Sequence, residues 1–220
     1  MPRRARWRVA CLVLALCAAC AAPRAWDSDR AAQAAQRIGP RAVQGLKALQ
    51  AVLGVGADAD DSARLEAVNQ FFNRQIVFRD DEQVWGVADY WASPLETLGR
   101  GAGDCEDFAI AKYFALLAGG TPASHLRLVY VRLQLGGAGG PTQAHMVLAY
   151  YAAAQAEPLI LDNLVTEIRP ASRRPDLTPV FSFNSEGLWQ GAGAQSMGDP
   201  VSRLSRWRDV LAKARAEGFL

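Results

Sequence analysis

Acyl-transfer chemistry is built from a thiol or hydroxyl, an imidazole and a carboxylate. The 220-residue chain is sparing with the first two, having four cysteines and two histidines. Cys11, Cys17 and Cys20 lie in an N-terminal stretch laid out as an export signal, which leaves Cys105 alone in the body. That cysteine stands in Gly103-Asp104-Cys105-Glu106-Asp107, at the predicted start of a helix. Backbone N–H groups at a helix N-terminus lower a thiol's pKa and can hold an oxyanion. A lone cysteine is more commonly a buried packing residue. The helix start, and flanking acids that oppose full burial, favour a nucleophile here.

A nucleophilic thiol needs a base. His125 lies between Ser124 and Leu126 after Pro122 and reads as an exposed loop residue. His145 sits inside Gln143-Ala144-His145-Met146-Val147-Leu148, an extended apolar run. The two-residue repeat of a strand puts it on one face with Val147 and Ala149, half buried, so it is the better base. An imidazole also needs a group that fixes its tautomer. Asp162 closes the strand Leu159-Ile160-Leu161 and could do so; an Asp-Asn pair ending a strand is equally a turn signal, and spacing does not separate the two readings.

These groups have to be carried by definite elements. Residues 22–60 are alanine-rich and amphipathic, and Gly39-Pro40 divides them into helices over about 28–38 and 41–53. Asp60, Asp61 and Ser62 offer caps for a third helix over about 62–75, followed by the short extended run Ile76-Val77-Phe78. Residues 80–103, with Trp85, Tyr90, Trp91 and Pro94, read as an ordered loop with one short helix. The clearest helix runs from Asp104 to Leu117, with acids in its first turn and Gly119-Gly120 as its stop. Strands are expected at Leu126–Leu135, Ala144–Ala152 and Pro158–Asp162, the first two joined through the glycine-rich stretch 136–141, with a fourth at Val180–Asn184. Asp199-Pro200 caps a last helix over about 201–217. The order predicts an α+β domain with a helix packed on an antiparallel sheet.

The leader and the charge balance bound the rest. Arg3, Arg4, Arg6 and Arg8 precede the apolar run Val9 to Leu16 and the small residues Ala18, Ala19, Ala21 and Ala22. This is the layout of a secretory signal over residues 1–21, ahead of a single domain over 22–220 whose helical part spans about 28–75. Ala19-Cys20-Ala21 fits a small-residue cleavage site and favours a soluble exported product; Cys17-Ala18-Ala19-Cys20 loosely resembles a lipoprotein site, which would anchor Cys20. The formal charge of +2 becomes −2 without the leader's arginines, so nothing points to nucleic acid. With one cysteine the exported body has no internal disulfide.

Longer runs carry a resemblance. Asp89-Tyr90-Trp91-Ala92-Ser93-Pro94-Leu95-Glu96-Thr97-Leu98 leads into Gly101-Ala102-Gly103-Asp104-Cys105-Glu106-Asp107-Phe108-Ala109. Ala144-His145-Met146-Val147-Leu148, Leu161-Asp162-Asn163-Leu164, Arg173-Arg174-Pro175-Asp176-Leu177 and Phe181-Ser182-Phe183-Asn184 follow. From about residue 62 to 189 the chain resembles the periplasmic bacterial transglutaminase-like cysteine proteases of the LapG type. The resemblance implies a papain/transglutaminase-like core, with Cys105 as nucleophile, His145 as base and Asp162 as its orienter. It implies a Ca²⁺-dependent endopeptidase that clips a large biofilm adhesin near its N-terminus, at an Ala-Ala type site. It also implies inhibition by an inner-membrane receptor that responds to cyclic di-GMP. Asp104 and Glu106 carry over as calcium residues. Since Ca²⁺ takes 6–8 oxygen ligands, Asp107, backbone carbonyls and water are expected to complete the shell. Taken alone, acids in a first helical turn are accounted for by the helix dipole, at ~0.3–1 kcal/mol each; the resemblance favours the metal. A crosslinking transglutaminase or amidase on the same core is the competing enzyme. A non-catalytic scaffold would be expected to lack one of the three groups, and none is missing.

Overall fold

The computed structural model describes residues 26–55, 60–137 and 139–220 of the chain. The leader and the Cys20 alternative lie outside the described residues. No helix among the described residues is long and apolar enough to cross a membrane.

Three helices come first: α1 (Ser28–Ile38), α2 (Pro40–Val55) and α3 (Asp61–Gln75). Asp27 caps α1 by accepting the Arg30 N–H at 3.0 Å, and Asp60 caps α3 through the Ala63 N–H at 2.8 Å. The stretch read as one loop over 80–103 is more regular than expected. After β1 (Val77–Phe78) it holds α4 (Asp81–Val84), α5 (Pro94–Arg100) and β2 (Ala102–Gly103), with β1 and β2 paired in parallel. Ser93 and Glu96 form a reciprocal capping box at the start of α5, with Pro94 in the first turn. Gly101 ends α5 in the left-handed region at φ 62°, where a Cβ would also run into the Arg41 guanidinium.

Helix α6 (Cys105–Ala118) follows and is buried from Asp107 to Leu117. That explains its apolar character on every side: helices α2, α3 and α5 cover one flank and the sheet covers the other. The sheet has seven strands, β3 (Leu126–Gln134), β4 (Thr142–Tyr150), β5 (Leu159–Leu161), β6 (Arg169–Pro170), β7 (Leu177–Phe183), β8 (Leu188–Gln190) and β9 (Ser196–Gly198). They pair antiparallel in the order β6-β5-β4-β3-β7-β8-β9. The expected α+β class, with a helix on an antiparallel sheet, is the observed architecture.

Two expectations need correction. The fourth strand begins three residues before Val180, because Pro179 is accepted opposite Val131 beside a bulge between Tyr130 and Val131. The last helix is broken into α7 (Pro200–Arg203) and α8 (Ser205–Ala216), with Leu204 extended between them. Helix α8 buries Trp207, Val210, Leu211 and Ala214. The Trp207 ring stacks on Phe114 at 5.7 Å and meets Phe183 edge-on at 5.2 Å, while its indole N–H donates to the Asn184 carbonyl at 3.1 Å. Strands β6, β8 and β9 are two or three residues each, too short to leave a period in the sequence.

Candidate active site

Cys105 is the first residue of α6, with Asp104 at the cap position in extended conformation. Its thiol faces the backbone N–H of Met146, the residue after His145 on β4. The alternation of β4 puts His145 on the face with Val147 and Ala149, as the sequence predicts. Its burial is greater than expected, at 2% side-chain exposure. Asp162, one residue past β5, brings Oδ1 within 2.8 Å of His145 Nε2. With Nε2 against a carboxylate, the proton belongs on Nε2 and the lone pair on Nδ1. His125 lies elsewhere, edge-on to the Tyr150 ring at 5.9 Å.

Asp162 is held from several sides. Oδ1 also accepts the Leu164 N–H at 3.1 Å, and Oδ2 pairs with Arg174 Nη2 at 2.9 Å. Burial by itself would raise this carboxyl; the His145 hydrogen bond, the Leu164 N–H and the Arg174 charge outweigh it and bring it down to about 2. The Asp162 backbone carbonyl accepts from Asn73 Nδ2 at 2.9 Å and from Lys112 Nζ at 3.1 Å. Lys112 is fully buried in α6, seven residues and so two turns beyond Cys105 on the same face. Burial pushes its ammonium down to about 7, against the pull of Asp162.

The thiol's surroundings reverse one expectation. A helix N-terminus lowers a thiol's pKa, but here the Cys105 thiol is pushed far up, first by burial and then by Glu106 and Asp104. Its Sγ donates to Glu106 Oε2 at 3.0 Å. The expected metal residues Asp104, Glu106 and Asp107 do converge, and the fold adds Asp81 and Asp89, which the sequence reading missed. Oxygens of Asp81, Asp104 and Asp107 come within 4.8 Å of one another, as do those of Asp81, Asp89 and Glu106. Asp81 Oδ1, Asp104 Oδ1 and Asp107 Oδ2 are buried without a partner. Burial and mutual repulsion raise Asp104 to about 10, Asp81 to about 6 and Asp107 well above the carboxylate range. Orphaned, crowded, oxygen-only donors suit a hard divalent cation. Gly103 is required beside them, since a Cβ there would stand 2.4 Å from Asp107 Oδ2.

The loop carrying Asp89 is pinned by the C-terminal helix. Arg206 pairs with Asp89 at 3.0 Å, and Lys213 Nζ donates to the Trp91 carbonyl at 2.8 Å and to Glu96 at 2.7 Å. Glu217, raised by burial to about 7, accepts the Ser93 hydroxyl and the Leu95 N–H. Trp91 stacks on Phe183 at 5.7 Å, and Trp85 packs on Tyr90 at 4.4 Å under Arg100. Both tryptophans brace this loop.

A family model described as bacterial transglutaminase-like cysteine proteinase matches residues 47–176. Among solved structures, the chain is similar to Legionella pneumophila LapG in an EGTA-treated form, at 38% identity over 85% of this chain and 97% of that one, with a TM-score of 0.74. A calcium-bound form of Legionella pneumophila LapG aligns at 38% identity over 85% and 98% of the two chains, with a TM-score of 0.71. No curated protein matches the chain significantly.

Proposed function

The chain belongs to the bacterial transglutaminase-like cysteine proteinases, and from that premise we propose that it is a calcium-dependent periplasmic endopeptidase that releases a large surface adhesin by cutting near its N-terminus. The observation that carries the reading is the buried 2.8 Å contact between His145 and Asp162, beside the Met146 N–H that faces the Cys105 thiol.

In this reading His145 Nδ1 takes the thiol proton and Cys105 Sγ attacks the scissile carbonyl carbon. The developing oxyanion lies at the α6 N-terminus, where free N–H groups and the helix dipole stabilise it. His145 returns the proton to the departing amine, the C–N bond breaks, and the acyl group remains on sulfur as a thioester. Water, deprotonated by the same imidazole, then releases the acid product and the thiol. Asp162 keeps the ring in the tautomer that leaves Nδ1 free. Asp81, Asp89, Asp104, Glu106 and Asp107 would hold Ca²⁺, which when bound neutralises the charges beside the thiol and so removes their share of its raised pKa, the share due to burial remaining.

The Ala-Ala type site, the adhesin and inhibition by a cyclic di-GMP-responsive receptor rest on the family resemblance of the quoted motifs. Periplasmic placement rests on the leader, from Arg3 to Ala22. Expression of the full chain should yield a periplasmic protein starting near residue 22 and free of lipid, read by intact mass; a diacylated Cys20 would replace the soluble form with an anchored one. The activity is tested by incubating the chain and Ca²⁺ with the N-terminal region of a large surface protein encoded beside it. Cleavage into two fragments at an Ala-Ala bond is expected. Incorporation of a labelled amine without cleavage would instead make it a transglutaminase.

A further inference from the structure

The guanidinium of Arg174 lies on the far side of Asp162 from the imidazole. Arg174 ends a 3-10 turn over Ala171–Arg173, just before β7, and is 3% exposed. Its Nη2 stands 2.9 Å from Asp162 Oδ2 and 2.7 Å from Asp176 Oδ2, and its Nε donates to Asp176 Oδ1 at 3.0 Å. Two contacts to Asp176 fix the plane of the fork and leave Nη2 beside Asp162 Oδ2 as an ion pair, off the line of a hydrogen bond, with Oδ2 otherwise unpartnered. Asp162 is itself 1% exposed, and the small cavity beside Arg174 is lined mainly by apolar residues such as Val131, Val147, Ile160 and Leu177. A carboxylate gripped only through Oδ1 could turn about χ2 and exchange its oxygens; the guanidinium charge 2.9 Å from Oδ2 opposes that turn electrostatically.

We propose that Arg174, oriented by Asp176, is a positioning residue that locks the Asp162 carboxylate so that Oδ1 alone meets His145 and holds the imidazole in its Nε2–H tautomer. The role rests on the proteolytic reading above for its consequence, but the locking itself does not. The other charged group near Asp162 is Lys112, from α6, which reaches the backbone carbonyl and leaves the carboxylate free to turn. A buried guanidinium shared by two carboxylates is costly to keep merely for stability, whereas outer partners of a catalytic pair typically carry ~10–100-fold of the activity.

The test has two arms. In a Cys105→Ala chain, which needs no substrate, the His145 Nε2–H proton bonded to Asp162 should give a downfield NMR signal. Arg174→Gln should lose that signal while the rest of the spectrum keeps its dispersion, and Arg174→Lys should recover part of it. In the active chain, with a quenched fluorescent peptide spanning an Ala-Ala bond, Arg174→Gln should lower kcat ~10–100-fold with little change in KM. Asp176→Ala should act in the same direction, more weakly, because the fork loses its second anchor. A folded Arg174→Gln chain that keeps the signal and kcat overturns the proposal. If Arg174→Gln does not fold, Asp176→Ala decides, and a parent-like signal and kcat there overturn it equally. A parent chain that leaves peptide bonds intact yet shows the Arg174-dependent signal would defeat the protease reading and keep the lock.

Discussion

Replacing Cys105 by alanine is expected to abolish cleavage outright, because no other cysteine follows residue 20. His145→Ala should lower kcat by about 10²–10⁴-fold, the usual worth of a positioned general base. Asp162→Ala should fall in the same range, since the ring then loses the partner that selects its tautomer. All three should keep their circular dichroism. The Cys105 side chain is only partly buried, and the ties that anchor the Asp162 segment, from Asn73 and Lys112, go to its backbone carbonyl and survive loss of the carboxylate. His125→Ala is the control. It sits against Tyr150 and should cleave at the parent rate. An inactive His125→Ala beside an active His145→Ala would mean the base is misassigned.

Calcium removal should be as complete in its effect. Without a cation the carboxylates around the thiol repel one another and add to the burial that already raises Cys105, so chelation should stop cleavage and Ca²⁺ should restore it. Mg²⁺ should restore little, because it demands a near-octahedral shell and sheds water reluctantly. Asp104→Ala and Glu106→Ala should lose activity although neither moves a proton, and Asp81→Asn should join them despite lying more than twenty residues upstream. The pH dependence of binding has a definite sign. Raised carboxyls hold protons in the cation-free chain and give them up to the metal, so binding releases protons and weakens as pH falls through about 6, where Asp81 titrates. Binding should also stabilise the fold, by about 2.7 kcal/mol when Ca²⁺ exceeds its Kd a hundredfold. Calorimetric titration at several pH values checks these points. Full activity in excess chelator, or parent-like Ca²⁺ binding by the variants, would reduce the acids to helix-dipole partners.

The contrast between legible and hidden parts of the site follows from the range of the interactions. Helix α6 was readable because acids in its first turn, a nearly unbroken apolar run and a glycine stop all lie within sixteen residues. The place of His145 on its strand face was readable from alternation alone. The contact between His145 and Asp162 was not, since it depends on β4 and β5 pairing Leu148 with Leu161. Asp81 and Asp89 escaped because α8, more than a hundred residues later, sets the path of their loop through Arg206, Lys213 and Glu217. Their one local sign was the acid run Asp80-Asp81-Glu82. Lys112 did leave a signal, a lysine inside an otherwise apolar helix at Cys105 plus seven. The thiol's raised pKa was half visible: acids on either side were evident, but the burial that dominates the effect belongs to the folded chain.

The central claim is that Cys105 is a nucleophile made reactive by His145 and by a cation on the neighbouring carboxylates. Alkylation by iodoacetamide, followed by intact mass against time, reads this directly and needs no substrate. With Ca²⁺ a chain starting at residue 22 should take up a single adduct on Cys105, at least about tenfold faster than in chelator or in His145→Ala, as expected of a thiol whose thiolate fraction is set by its surroundings. Equal rates in all three would show an ordinary thiol and contradict the account.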